Sequence, residues 1–107
     1  MNGRNIFQII VDENVDAHFR AIDRKDHSLI LDVIEQQLTY DAVQPTRNRK
    51  LLRVPNTLGA TWELRCGANN RYRIFYDVDI EAKKVIILAV GRKVRNKLYI
   101  GQEEFVL

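Results

Sequence analysis

Trp62-Glu63-Leu64-Arg65-Cys66-Gly67-Ala68-Asn69-Asn70-Arg71-Tyr72-Arg73-Ile74-Phe75-Tyr76-Asp77-Val78 alternates apolar and polar side chains on both sides of a short polar interruption. Successive side chains of an extended chain point to opposite faces. Trp62, Leu64 and Cys66 therefore share one face with Tyr72, Ile74, Tyr76 and Val78, while Glu63, Arg65, Arg71, Arg73, Phe75 and Asp77 share the other. Aromatic and β-branched residues favour strands and Gly67 to Asn70 supplies turn residues, so this stretch predicts two antiparallel strands. A second turn, Asp79 to Lys83, leads into Val85 to Val90, apolar at every position as in a central strand covered on both faces.

Upstream, Ile6 to Val11 reads as a further strand interrupted only by Gln8. Beyond it Val15, Phe19 and Ile22 recur at helical spacing, as do Ile30, Val33, Ile34 and Leu38 after a charged interruption at Asp23 to His27. Two helices or one bent helix result, with Asp26 or Ser28 as the cap of the second segment. Thr39 to Gly59 lacks periodicity and holds Pro45, Pro55 and Gly59, which predicts a loop with at most a short turn of helix. After Gly101 the tail is short, and Phe105 to Leu107 is an edge strand or a disordered end. The expected architecture is α+β in one domain, residues 1–107. It has an N-terminal strand, a helical pair, then a three-stranded antiparallel meander in one sheet with the helices on one face.

The 107 residues are 46% hydrophobic, enough for one core of modest size. Seventeen Lys and Arg against 14 Asp and Glu give a net charge of +3, an excess too mild to identify a partner unless the charges cluster. Cys66 is the only cysteine, which excludes an intramolecular disulfide and metal signatures built on repeated Cys, and suits the reducing cytoplasm. The polar opening Met1 to Asn5 and the brief apolar run after it resemble neither a signal peptide nor a membrane span.

The charges do cluster. Arg71, Arg73 and Arg65 are expected on the sheet face away from the helices, beside Phe75 and Glu63; such a face either binds an anion or only keeps the sheet in solution. Gly91-Arg92-Lys93-Val94-Arg95-Asn96-Lys97-Leu98-Tyr99 sets four cations and a tyrosine in one stretch. A bend at Gly91 is expected to return Lys93, Arg95 and Tyr99 toward the strand arginines. Arg47, Arg49, Lys50 and Arg53 form a third group, in the loop before the meander, which folds over the same face or stays a charged linker.

Lys50-Leu51, Trp62-Glu63-Leu64-Arg65, Tyr72-Arg73-Ile74-Phe75-Tyr76 and Ala89-Val90-Gly91-Arg92-Lys93, followed by Arg95 and Tyr99, resemble the RelE/ParE superfamily of bacterial toxins in order and spacing. The likeness runs from about Lys50 to Tyr99. It implies a toxin held by a cognate antitoxin protein and, in the RelE branch, a metal-independent endoribonuclease that cuts mRNA on the ribosome and so halts translation. By position it implies catalytic roles for Arg73, Lys93, Arg95 and Tyr99, with Arg65 in support. Thr61 and Glu63 stand where that branch has two lysines, and the Trp-Glu-Leu-Arg form looks more like the HigB-type branch, also ribosome-linked ribonucleases. Two rivals remain open: a ParE-like inhibitor of DNA gyrase, and an inactive remnant that only binds RNA or antitoxin.

Without a metal or other cofactor, RNA is cut when its own 2′-hydroxyl attacks the adjacent phosphate. Arginines suit the charge that develops on the phosphorane oxygens, and Arg73 is the first candidate with Arg65 beside it. Tyr99, Lys93 and Glu63 are candidates for the proton transfers, Glu63 alternatively serving only to orient Arg65. Arg47, Arg49, Lys50, Arg53, Arg71 and Arg92 are expected to hold RNA phosphates and Phe75 to stack a base, whereas Trp62 belongs to the core. His18 and His27 lie in or between the helices, away from the basic face, in structural or solvent-exposed positions.

Overall fold

A computed structural model describes residues 6–106. The element order is β1 (Gln8–Val11), α1 (Val15–Arg20), α2 (His27–Leu38), β2 (Arg49–Leu51), β3 (Trp62–Cys66), β4 (Tyr72–Asp79), β5 (Lys84–Val94), β6 (Lys97–Ile100) and β7 (Glu103–Phe105), with short 3₁₀ turns at Arg24–Asp26 and Ala68–Asn70. All seven strands belong to one sheet in the order β2-β3-β4-β5-β6-β7, and β1 pairs with β5 in parallel. The meander is thus six strands rather than three. The expected loop contains β2, the stretch expected to bend at Gly91 is the second half of β5 followed by β6, and the tail adds β7; Met1 to Asn5 and Leu107 lie outside the described residues.

β5 organises the sheet because its one edge is shared. Residues Lys84 to Ile87 pair with β1, and Gly91 to Val94 pair with β6. Between them the His18 ring fills the fork, where Nδ1 accepts the Val90 N–H at 3.2 Å. Burial favours the neutral ring and holds the His18 pKa below its ordinary value, with nearby Asp12 opposing. His27 lies between helix and loop, Nε2 2.9 Å from the Ile22 carbonyl.

The helices cover one face. Ile30, Ile34 and Leu38 of α2 pack with Trp62, Leu64, Ile74, Tyr76, Val85, Ile87 and Val90 in the main core. Trp62 and Tyr76 stack with ring centroids 6.2 Å apart, and the Tyr76 hydroxyl donates to the Ala42 carbonyl at 2.8 Å. Asp26 occupies the N-cap position of α2, but its carboxylate accepts from the Tyr72 hydroxyl instead of capping the helix. Burial, and after it that carboxylate, push the Tyr72 phenol up to about 12, and burial pushes the Cys66 thiol up to about 11.

The opposite face carries a second, smaller core. Phe75, Ala60 and Ala89 are enclosed there by Leu52, Leu58, Leu88, Leu98 and Ile100. A bulge makes this possible: Phe75 pairs with Ala89 but Tyr76 with Ile87, so Leu88 is the extra residue and the alternation of β5 shifts by one. Fully apolar Val85 to Val90 thereby serves both cores. Gly91 does not bend the chain; it sits within β5, where a Cβ would come 2.8 Å from Leu98 Cδ1 and 3.1 Å from the Tyr99 carbonyl oxygen.

Candidate functional site

Residues directly opposite in an antiparallel ladder point to the same face. Lys50 faces Glu63, Glu63 faces Phe75, Arg65 faces Arg73, Arg73 faces Gly91, and Lys93 faces Leu98. Lys50, Glu63, Arg65, Arg73 and Lys93 therefore share the face away from the helices, at the margin of the second core.

Glu63 is the centre of this group. It is only 3% exposed, yet its carboxylate meets three cations: Arg73 Nη1 at 2.7 Å, Lys50 Nζ at 3.5 Å and Arg65 Nε at 3.8 Å. Arg73 is also tied through Nε to the Asn70 carbonyl at 3.1 Å. Like charges stand directly opposite at Arg65 and Arg73, and Glu63 offsets their repulsion. A carboxylate this enclosed is stable only with such partners, and in return it fixes the Arg73 guanidinium.

Above this group lies a cleft of about 300 Å³ whose walls include Lys50, Glu63, Arg73, Lys93, Lys97 and Glu104. β7 closes one side, where Glu104 reaches Lys97 at 3.8 Å. Two neighbouring clefts share residues with it. One, about 400 Å³, runs from Lys50 past Arg53 to Thr57; the other, about 300 Å³, is lined by Arg71, Lys93, Arg95, Ala68 and Asn69. Lys50 joins the first to the middle cleft and Lys93 joins the middle to the last, so Arg53, Lys50, Arg73, Lys93, Arg71 and Arg95 follow one another along a continuous cationic track.

Five expected site residues stand elsewhere. Phe75 is 0% exposed in the second core, so its ring cannot stack on a base. Arg49, 4% exposed, points to the helix side: it donates through Nη1 to the Asp41 and Gln44 carbonyls and through Nη2 to the Asp41 carboxylate at 3.2 Å, which pins the segment before β2. Tyr99 faces Arg92, which faces Tyr72, so both lie on the helix side of the sheet and Tyr99 does not converge with Arg73. The Arg92 guanidinium stacks over the Tyr99 ring, 5.3 Å from its centroid. Arg47 is exposed on the segment before β2 and lines none of these three clefts.

The sequence-based expectations named Glu63 only as one of several helpers and missed its central position. The signal was a lone acid alternating with Arg65 on a strand opposite Arg73. Lys97 and Glu104 were missed because β6 was, and because the edge strand offered for Phe105 to Leu107 lies at Glu103–Phe105; two-residue loops at Arg95-Asn96 and Gly101-Gln102 mark those hairpins. Among the described residues no three His, Cys, Asp or Glu side chains are grouped to hold a metal ion, and no helix is long and apolar enough to cross a membrane.

No protein-family model matches the chain, and no curated protein matches it in sequence. Solved structures do. A chain of the crystal structure of the toxin-antitoxin complex RelBE2 from Mycobacterium tuberculosis superimposes with a TM-score of 0.66, over 82% of this chain and 92% of that one, at 20% identity. The fold is RelE-like. At that identity the likeness speaks to architecture, an α+β sheet with two helices, and the chemistry rests on the cationic track itself.

Proposed function

We propose that the protein is the toxin of a toxin-antitoxin pair and acts as a ribosome-dependent endoribonuclease on mRNA. The observation behind this reading is the track of joined clefts in whose middle Glu63 fixes Arg73 while Lys50 and Lys93 flank it. A polyanion with evenly spaced phosphates fits such a track, and a deep, narrow A-form groove does not present its bases to side chains, so a single strand is the suited form.

In the reaction the 2′ oxygen bonds to phosphorus and the bond from phosphorus to the 5′ oxygen breaks, leaving a cyclic phosphate and a 5′-hydroxyl. Arg73 offers its remaining guanidinium donors to the phosphorane oxygens, preorganised by Glu63 and the Asn70 carbonyl. Lys93 protonates the leaving 5′ oxygen. Glu63 is too enclosed to take the 2′ proton, which passes to water in the open cleft. So sparse a set of groups suits a reaction in which the ribosome positions the messenger. The antitoxin is a separate protein that masks this cationic face.

Induced expression in bacteria with mapping of mRNA 5′ ends tests the proposal. New ends within translated codons and arrested translation are expected for the wild type, and neither for Arg73→Ala once circular dichroism shows that it folds. DNA damage and filamentation without new ends would instead mark a gyrase inhibitor and overturn the nuclease.

A further inference from the structure

The end of the track formed by Arg71, Lys93 and Arg95 differs from its middle in charge balance. In the middle, Glu63 answers Lys50, Arg65 and Arg73. At the end, no carboxylate among the described residues forms an ion pair with Arg71, Lys93 or Arg95, and none lines the cleft. The geometry is nevertheless built. The Lys93 N–H donates to the Arg71 carbonyl at 2.7 Å, which locks the start of β4 to β5, and the Arg71 guanidinium stands 5.8 Å from the Tyr72 ring centroid.

Arg95 gives a second, independent indication. It opens the two-residue loop between β5 and β6 with φ of 60°, the left-handed region where Gly, Asn and Asp are the usual occupants of a hairpin loop. Asn69 across the cleft and its neighbour Asn70 hold similar values, 57° and 53°, with residue types that tolerate them. Arginine lacks that tolerance, as does Lys83 with φ of 56° in the turn before β5, and of these two Arg95 lines the cleft.

We infer that this cleft is a second phosphate subsite, which holds a phosphodiester of the RNA strand next to the one at Arg73; Lys93, lining both clefts, lies between the two phosphates. The inference rests on the proposed RNA substrate. Paired, planar guanidinium donors suit a phosphate oxygen pair, and the continuity through Lys93 suits a polymer over an isolated anion.

The test measures binding of the full chain to a fluorescein-labelled single-stranded RNA with 2′-O-methyl riboses, which cannot be cut, by polarisation over a range of KCl. The wild type binds at low salt. The Arg71→Ala/Arg95→Asn double variant is expected to bind roughly tenfold more weakly, and its plot of log affinity against log salt to be shallower by about 0.7, the release for one phosphate on a single strand. Arg95→Asn alone suits the backbone, keeps the melting temperature, and weakens binding by about threefold. Lys84→Gln, at the far end of β5, removes one charge remote from the cleft and leaves the slope unchanged.

Failure of the wild type to bind would overturn this inference together with the proposed RNA substrate. Wild-type binding with an unchanged double variant would overturn the subsite alone, as would a variant weakened only toward an acidic protein partner. A slope lowered as much by Lys84→Gln would reduce the effect to net charge and overturn it equally.

Discussion

Arg49 and Lys50 are neighbours in β2, and they show what separates the two faces of the sheet. Arg49 turns to the helix side, where its Nη groups meet two carbonyls and the Asp41 carboxylate while its buried Nε has no hydrogen-bond partner. Lys50 turns to the open side, is 55% exposed, and reaches Glu63 while lining two clefts. A buried cation whose Nη groups hold neighbouring carbonyls is a structural strut; an exposed cation beside a fixed carboxylate retains donors for a ligand. The same contrast separates Phe75 from Arg73, both on the open side: the aromatic ring completes a small core, and the guanidinium at that core's margin faces the cleft.

The largest effect that sharpens this contrast is expected at Phe75. Phe75→Ala empties the second core and is expected to cost about 3–5 kcal/mol in urea unfolding, whereas Phe75→Leu costs far less and leaves RNA binding unaltered. Loss of RNA affinity in a stable Phe75→Leu protein would return a recognition role to the ring. Next come the β2 neighbours. Arg49→Ala strands the Asp41 and Gln44 carbonyls and is expected to lower stability by about 2 kcal/mol with the salt slope of RNA binding unchanged. Lys50→Ala is expected to do the reverse, with stability within about 0.5 kcal/mol of the wild type and a shallower salt slope. Equal effects of the two substitutions on either quantity would erase the distinction between the faces.

The smallest effect concerns the fork in β5. His18 accepts the Val90 N–H only while neutral, and its pKa in the folded protein lies below the ordinary 6.5. The unfolded chain therefore binds the proton more readily than the folded one. The contribution is complete above the unfolded value and is lost as pH falls from about 6.5 through the folded value. The urea midpoint is expected to drop across this window in the wild type and to drop less in His18→Gln; identical profiles would remove His18 from the account.

Much of this fold was legible because a half-buried strand writes its two faces into alternate residues. Trp62 to Val78 therefore registered correctly, and the helical spacing of Ile30, Ile34 and Leu38 marked α2. Three things were not legible. The bulge at Leu88 shifts alternation within a run that is apolar throughout, so the pattern conceals it. Short edge strands such as β2 and β7, three residues each, are too brief for periodicity to appear. Finally, Arg49 and Lys50 look equivalent as charges, and only the register with Leu64 and Glu63 assigns them to opposite faces. Tyr99 misled for the same reason: proximity to Lys93 and Arg95 in sequence says nothing of the side on which a strand residue points.

The central claim is that RNA chemistry belongs to the open face, at Arg73, Lys50 and Lys93, and not to the face that holds Tyr99. Mapping mRNA 5′ ends in cells expressing Lys93→Ala beside cells expressing Tyr99→Phe tests it most directly, with both proteins verified as folded. New 5′ ends should vanish with Lys93→Ala and persist with Tyr99→Phe. Cleavage that survives Lys93→Ala but disappears with Tyr99→Phe would contradict the account.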